Sequence, residues 1–309
     1  MSRLCLPSKA IRDRIIELAP DLPGLAEAVV WKRAGDLPEG LAEVEFWVPF
    51  LPIRPLTGER LAELMPALRV IQASSAGVDP LLPLLRPGVT LCDGRGVNGM
   101  PTADWALAAI LAVLREFPGF VRDQDARRWN QHFTDELAGK RTLIIGAGDI
   151  GEQLRRRLLV CDATVTMLAR TARDGVHAMT QLSQLLPQSD IVVLTVPLTS
   201  ATRGLVDAAF LGQMADGSLL VNAARGPVVR TDALLAELTA GRLRAALDVT
   251  DPEPLPADHP LWQAPNLFLT PHVGGAVAGH GERAAAFVAE QLRRYLDGEP
   301  LVNVVTDEY

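Results

Sequence analysis

Short apolar runs alternate with stretches of helical period through both halves of the chain, the pattern expected of parallel sheets covered by helices. In the first hundred residues the runs predict strands at 4–6, 29–31, 44–48, 69–72 and 89–91, with helices between some of them. From Thr142 the pattern sharpens. Strands are predicted at 142–145, 164–168, 191–195, 219–221, 245–247 and 267–269, with a helix starting at Ile150. An apolar-periodic helix at 281–296 follows Pro271, and 301–305 reads as a last strand. The longest apolar stretch, 105–114, is well short of the ~20 residues needed to cross a bilayer and reads as a buried helix. Because it is apolar nearly all round, an interdomain or subunit interface is expected to help cover it.

Composition adds scale. A chain of 309 residues, 48% hydrophobic and 22% charged, has the make-up of two globular domains of about 100 to 200 residues each. The net charge of −7 repels polyanions, and the cations are scattered except for Arg155-Arg156-Arg157, which reads as a solvated helix face. Nucleic acid is therefore not an expected partner. Cys5, Cys92 and Cys161 are widely spaced and lack metal-ligand patterning, as expected of reduced thiols in a cytoplasmic protein without a metal site. The N-terminus mixes Arg3, Lys9, Arg12, Asp13 and Arg14 with apolar residues, so no export signal or membrane segment is read there.

The candidate chemistry begins at Gly146-Ala147-Gly148-Asp149-Ile150-Gly151, directly after Leu143-Ile144-Ile145. A strand running into these glycines and then a helix suits a pyrophosphate: the first glycine makes the turn, the second admits the phosphates, and the third packs helix on strand. About half the chain precedes this motif, which predicts a substrate domain ahead of, and closed over, a dinucleotide. Downstream, the proline-rich stretch Asp251-Pro252-Glu253-Pro254-Leu255-Pro256 cannot be helix and reads as a stiff loop after a strand's carboxyl end, where ligands bind in open α/β sheets.

Taken together, six motifs resemble the D-isomer-specific 2-hydroxyacid dehydrogenase family, which includes glyoxylate and hydroxypyruvate reductases. They are Ser75-Ala76-Gly77-Val78-Asp79, the glycine fingerprint, Val196-Pro197-Leu198-Thr199, Asn222-Ala223-Ala224-Arg225-Gly226, Ala246-Leu247-Asp248-Val249 and Thr270-Pro271-His272. The similarity runs from about Arg69 to the end and is weak before it. It implies a two-domain α/β protein, with a Rossmann-type doubly wound nucleotide-binding domain over 99–275 and a flavodoxin-like substrate domain from 1–98 and 276–309. It also implies a homodimer that reduces a small 2-keto acid to the D-2-hydroxy acid, or runs the reverse oxidation.

Each implied role has a physical reason. Arg225 offers a permanent fork of donors for a substrate carboxylate and the adjacent keto oxygen. His272 titrates near working pH and suits the acid of reduction and the base of oxidation, with Glu253 holding its ring and raising its pKa. The amides of Ala76, Gly77 and Val78 are expected to cradle the substrate carboxylate. Val196, Pro197, Ala223 and Ala224 line the cofactor cleft, and Asp248 either orients the carboxamide or serves the strand end.

Cofactor choice is read at the end of the second nucleotide strand, where an acid would bond the ribose hydroxyls of NAD. That position is Ala169, followed by Arg170, Thr171 and Arg173, a set suited to a 2′-phosphate. NADP is therefore preferred and NAD possible. Asp104, where the family usually has a longer acid, is given no catalytic role; Ala76 and Glu253 disfavour phosphite and formate as substrates. Arg54 is a further candidate for a substrate carboxylate, and Trp47, Phe50, Met100 and Trp129 for an apolar wall, although core packing is the better expectation for any one of the four. The competing reading is a dinucleotide-sensing binding protein, like the family's corepressors, with no turnover.

Overall fold

The computed structural model describes residues 3–32, 37–50 and 56–306. Along the chain run β1 (Arg3–Leu6), α1 (Lys9–Leu18), β2 (Val29–Val30), β3 (Val44–Trp47), α2 (Gly58–Leu64), β4 (Val70–Gln72) and β5 (Thr90–Cys92). Next come α3 (Gly99–Leu114), α4 (Phe117–Asp125), β6 (Arg141–Ile145), α5 (Asp149–Val160), β7 (Thr164–Ala169), β8 (Val176–Ala178), α6 (Leu182–Leu185) and β9 (Ile191–Leu194). The last elements are α7 (Ala208–Gln213), β10 (Leu219–Asn222), α8 (Thr231–Thr239), β11 (Arg244–Leu247), β12 (Leu267–Leu269) and α9 (His280–Asp297). They form two compact units, Met1–Asn98 with Ala278–Tyr309, and Gly99–Val277.

The first unit holds a five-stranded sheet in the order β2-β1-β3-β4-β5, parallel throughout, which is the flavodoxin-like order. Trp31 and Trp47 stack in its core with ring centroids 5.5 Å apart. On the opposite face α9 packs beside α1, burying Ala285, Val288 and Leu292 against Leu4, Leu6 and Phe46. Gln291 of α9 donates to the buried Gln72 at 2.6 Å and to the Val302 carbonyl at 3.0 Å, which fastens the C-terminal segment. That segment corrects one expectation: 301–305 makes only an isolated antiparallel bridge, Val304 to Cys92. Asn303 sits at φ 57°, which breaks the extended run a strand would need.

The second unit holds seven parallel strands in the order β12-β11-β10-β9-β6-β7-β8. Read from β8, the first six follow the doubly wound 3-2-1-4-5-6 order of a Rossmann fold. Every residue of β9 and β10 is buried, because helices cover both faces and leave no polar alternation for the sequence to show. The order reverses between β6 and β9, and ligands bind at the carboxyl ends beside such a switch point.

The apolar stretch expected to need an interface is buried along one face within its own unit. It belongs to α3, which buries Ala103, Ala106, Ala109, Ile110 and Leu114 against α5 and the sheet of its own unit. Small residues let the two helices approach closely, while Leu107, Leu111 and Val113 stay half-buried and Ala108 is exposed, so part of the apolar stretch is left uncovered by this unit. The three arginines of α5 are not simply solvated: Glu152 pairs with Arg155 at 2.8 Å and Arg156 at 3.1 Å, and Arg157 reaches Asp104 on α3 at 2.6 Å. The bond from Arg155 first, and then that from Arg156, holds the Glu152 carboxyl down at about 2 against its partial burial.

Candidate active site

Six loops leave the carboxyl edge of the second sheet, and each carries part of the predicted chemistry. After β6, Gly146 turns the chain at φ 118°, where a Cβ would press on the Thr195 backbone at 2.6 Å. Gly151, in the first turn of α5, has its α-carbon so close to the Gly146 carbonyl that a methyl group would collide with it. Gly148 differs: it caps α5 with no side-chain partner, and a Cβ there would meet nothing within 4 Å. Open space at an uncapped helix N-terminus fits a phosphate, which the helix amides and dipole favour. Asp149 and Ile150 open the same helix. Gly151→Ala should therefore lower stability by ~1–3 kcal/mol through overpacking, visible in a thermal melt. Gly148→Ala should leave the melt unchanged and weaken nucleotide binding, measured by calorimetry.

The cation loop follows β7. Arg173 donates from Nη2 to the Ala147 carbonyl at 2.5 Å, which brings its guanidinium onto the glycine turn. Arg170 and Thr171 lie exposed directly after Ala169. After β9, Thr195 donates from Oγ1 to the Gly146 carbonyl at 2.8 Å, tying the Val196-Pro197 loop to the same turn. Thr202 closes that loop with a 2.6 Å bond to the Pro197 carbonyl.

After β10, the buried Asn222 organises the turn that presents Arg225. Its Oδ1 accepts from the Ala224 amide and its Nδ2 donates to the Arg225 carbonyl, both at 3.0 Å. Ala223 and Ala224 are buried, Arg225 is half-buried, and its Nη1 donates to the Ala224 carbonyl at 2.8 Å. Gly226 lies against the Thr250 carbonyl so closely that no side chain fits, which brings the β10 loop up to the β11 loop.

The β11 and β12 loops meet. His272 Nδ1 and Glu253 Oε1 are 2.6 Å apart, with side chains 44% and 41% exposed. An ionised carboxylate only accepts, so Nδ1 carries the proton in this bond and Nε2 is left to exchange one. The Glu253 bond, reinforced by the Glu253 and Asp248 charges, raises the His272 pKa above its ordinary value against burial and the Arg225 charge. Burial alone would push Glu253 up, but the His272 bond and charge, a Thr250 backbone bond and the Arg225 charge together hold it below the usual carboxylate range. Asp248 is buried, and its carboxylate accepts from Thr270 Oγ1 at 2.6 Å, the Val273 amide at 2.8 Å and the Gly274 amide at 2.7 Å. These bonds give Asp248 a role in fixing the loop that carries His272.

The matches to known proteins agree with this arrangement. A family model described as "D-isomer specific 2-hydroxyacid dehydrogenase, NAD binding domain" matches residues 107–274. The chain belongs to this family. It is 36% identical over 262 residues to the glyoxylate reductase of Thermofilum pendens, covering 79% of this chain and 77% of that one. It is also 31% identical over 266 residues to the chloroplastic/mitochondrial formate dehydrogenase of Arabidopsis thaliana, covering 81% and 68%. A D-isomer specific 2-hydroxyacid dehydrogenase from Xanthobacter autotrophicus, solved with NADPH and MES, superposes with a TM-score of 0.84 at 31% identity, covering 99% and 98% of the two chains. As a D-2-hydroxyacid dehydrogenase the protein is an NAD(P)-dependent oxidoreductase that reduces 2-keto acids, and the sensor reading draws no support from these relatives.

In this dehydrogenase the second unit thus brings together Glu253, His272 and the Asp248 loop, and separately Arg173 and the glycine turn. The Ser75–Val78 turn belongs to the first unit, where Ser75 donates to the Gly77 carbonyl at 3.2 Å and Val78 is buried. That unit also contains a cavity of about 290 Å³ at the carboxyl ends of β1, β3 and β4, lined by Ile11, Val48, Phe50, Ala284, Val288 and Ser75 among others. Of the four apolar wall candidates, Trp47 is core, whereas Phe50, Met100 and Trp129 are exposed; Arg54 lies outside the described residues. Thr195, Asn222 and Thr270 escaped the sequence reading although each sits within or beside a recognised motif. Trp105, which donates from Nε1 to Thr270 Oγ1 at 3.0 Å, gave no signal, because its partner lies 165 residues away.

Proposed function

We propose that this dehydrogenase is an NADPH-preferring reductase of small 2-keto acids, glyoxylate- and hydroxypyruvate-reductase-like, acting as a cytoplasmic homodimer. The 2.6 Å His272–Glu253 pair carries the reading, since a carboxylate-held imidazole is suited to protonate an alkoxide. Reduced nicotinamide supplies a hydride when bound. The side chains do the remaining work: Arg225 holds the substrate carboxylate and polarises the keto oxygen, and His272 Nε2 gives up the proton. The amides of Ala76, Gly77 and Val78 are further donors to the carboxylate. Gly146, Gly148, Asp149, Ile150 and Gly151 receive the pyrophosphate, Val196, Pro197, Ala223 and Ala224 line the nicotinamide, and Asp248 steadies that end of the site.

Three further observations support the finer parts. Arg173 beside the glycine turn, with Arg170 and Thr171 close in sequence, suits a 2′-phosphate. The mostly apolar cavity of the first unit has room for the side chain of an alkyl or aryl pyruvate as well. α4 has no buried residue, and Phe117, Val121, Trp129 and Phe133 leave a large apolar surface exposed that suits a second copy.

A panel of 2-keto acids assayed with both nucleotides tests the proposal. Expected is a kcat/KM at least ~10-fold higher with NADPH, and a ratio near one in the Arg170→Ala, Arg173→Ala double variant, because charged hydrogen bonds of ~1.5–3 kcal/mol are lost. The NADH value of that variant controls for the Ala147 bond lost with Arg173. NADPH binding without consumption of any 2-keto acid would return the sensor reading.

A further inference from the structure

We infer that Trp105 and Thr270 are positioning residues for His272, forming with Asp248 a hydrogen-bonded strut from α3 to the loop that carries the imidazole. The inference rests on the acid role proposed for His272, and its observations are independent of that role. His272 occupies the left-handed region at φ 54°, a strained conformation for a residue with a Cβ. Something must therefore hold it there. Its amide donates to the Asp248 carbonyl at 2.7 Å and to the Thr270 carbonyl at 3.1 Å. Directly beyond it, the Val273 and Gly274 amides both donate to the Asp248 carboxylate. The turn around His272 is thus gripped on both sides by one buried aspartate.

The aspartate is oriented in its turn. An indole N–H can only donate and a carboxylate can only accept, so the Thr270 hydroxyl between them accepts from Trp105 at 3.0 Å and donates to Asp248 at 2.6 Å. No other proton arrangement satisfies both contacts. A hydroxyl locked in this sense fixes the orientation of the aspartate side chain, and such hydrogen-bond chains strengthen one another in a partly dry setting. Trp105 lies on α3, whose buried face packs on α5 and the sheet, so the strut refers the His272 turn to the rigid body of the unit.

Histidine titration by NMR in the unliganded chain tests the strut without any turnover. The chain has five histidines, and the His272 signal is assigned by its loss in His272→Gln. The charged groups that set its titration are Glu253, Asp248 and Arg225. In Trp105→Phe and in Thr270→Val the His272 midpoint should fall by about half a unit or more as the Glu253 contact loosens, while Thr270→Ser should return it to the starting value. Turnover should fall about 10-fold or more in the first two variants through kcat, with nucleotide affinity unchanged, since small misplacements of a reacting group are costly. Trp105→Phe keeps an aromatic ring without the N–H and carries the test if Thr270→Val does not fold. An unchanged midpoint in folded Trp105→Phe overturns the strut. A shifted midpoint with no effect on turnover would leave the strut standing and remove His272 from the chemistry.

Discussion

Replacing His272 by alanine should lower kcat for 2-keto acid reduction by about 10²- to 10⁴-fold, the range general acid catalysis supplies, while the Kd for NADPH changes little. The ring's place supports the asymmetry: its contacts are with Glu253 and the Asp248 turn, whereas the glycine turn is built by β6, β7 and β9. Stopped-flow turnover and calorimetric binding read the two quantities separately, and full turnover by the variant would dismiss the acid role. The pH dependence follows from the same geometry. Reduction needs protonated His272, so activity should be full at low pH and decline as pH rises through a pKa lifted above the ordinary 6.5. Glu253→Gln removes the main cause of that lift, and the declining limb should move toward acid. For stability the signs are complementary. The His272 contribution is present below its unfolded value and lost as pH rises through its folded one. The Glu253 contribution is present above its unfolded value of 4.5 and lost as pH falls through its lowered folded one. The pair therefore contributes fully between 4.5 and 6.5, and its contribution is lost on either side as pH passes the lowered Glu253 value or the raised His272 value.

Arg225→Lys should reduce kcat/KM by about 10²-fold or more even though the charge is kept. A lysine cannot offer two parallel donors to a carboxylate, and polarisation of the keto oxygen depends on a fixed donor. Arg225→Gln should be worse. The turn beneath the side chain is built by Asn222 and by Gly226 against Thr250, so the thermal melt should not move. A loss confined to substrate KM, with kcat unchanged, would reduce Arg225 to a binding residue. A melt that drops with activity would show that the side chain supports the fold instead.

The strands and the chemistry were legible in the sequence for different reasons. β9 and β10 are buried on both faces, so each stands out as an unbroken apolar run. β8 was missed because its three residues are at best half-buried at the sheet edge. α3 was seen as apolar, but the hydropathy could not reveal that small residues let α5 lie against it. Arg225, Glu253 and His272 were found because their neighbours spell motifs. Trp105 was not found, because a hydrogen bond across 165 residues leaves no local trace. The last strand failed at Asn303, where a single left-handed residue outweighs the β-branched run around it.

β10, β11 and β12 lie side by side, and Arg225, Glu253 and His272 each follow one of them. The lattice of backbone hydrogen bonds, repeating every ~4.8 Å from strand to strand, therefore acts as a ruler beneath the three groups. Insertions in one connection can alter what that connection contacts without changing the spacing of the roots. Such a scaffold can be retuned loop by loop during evolution while its reacting atoms keep their relative pitch.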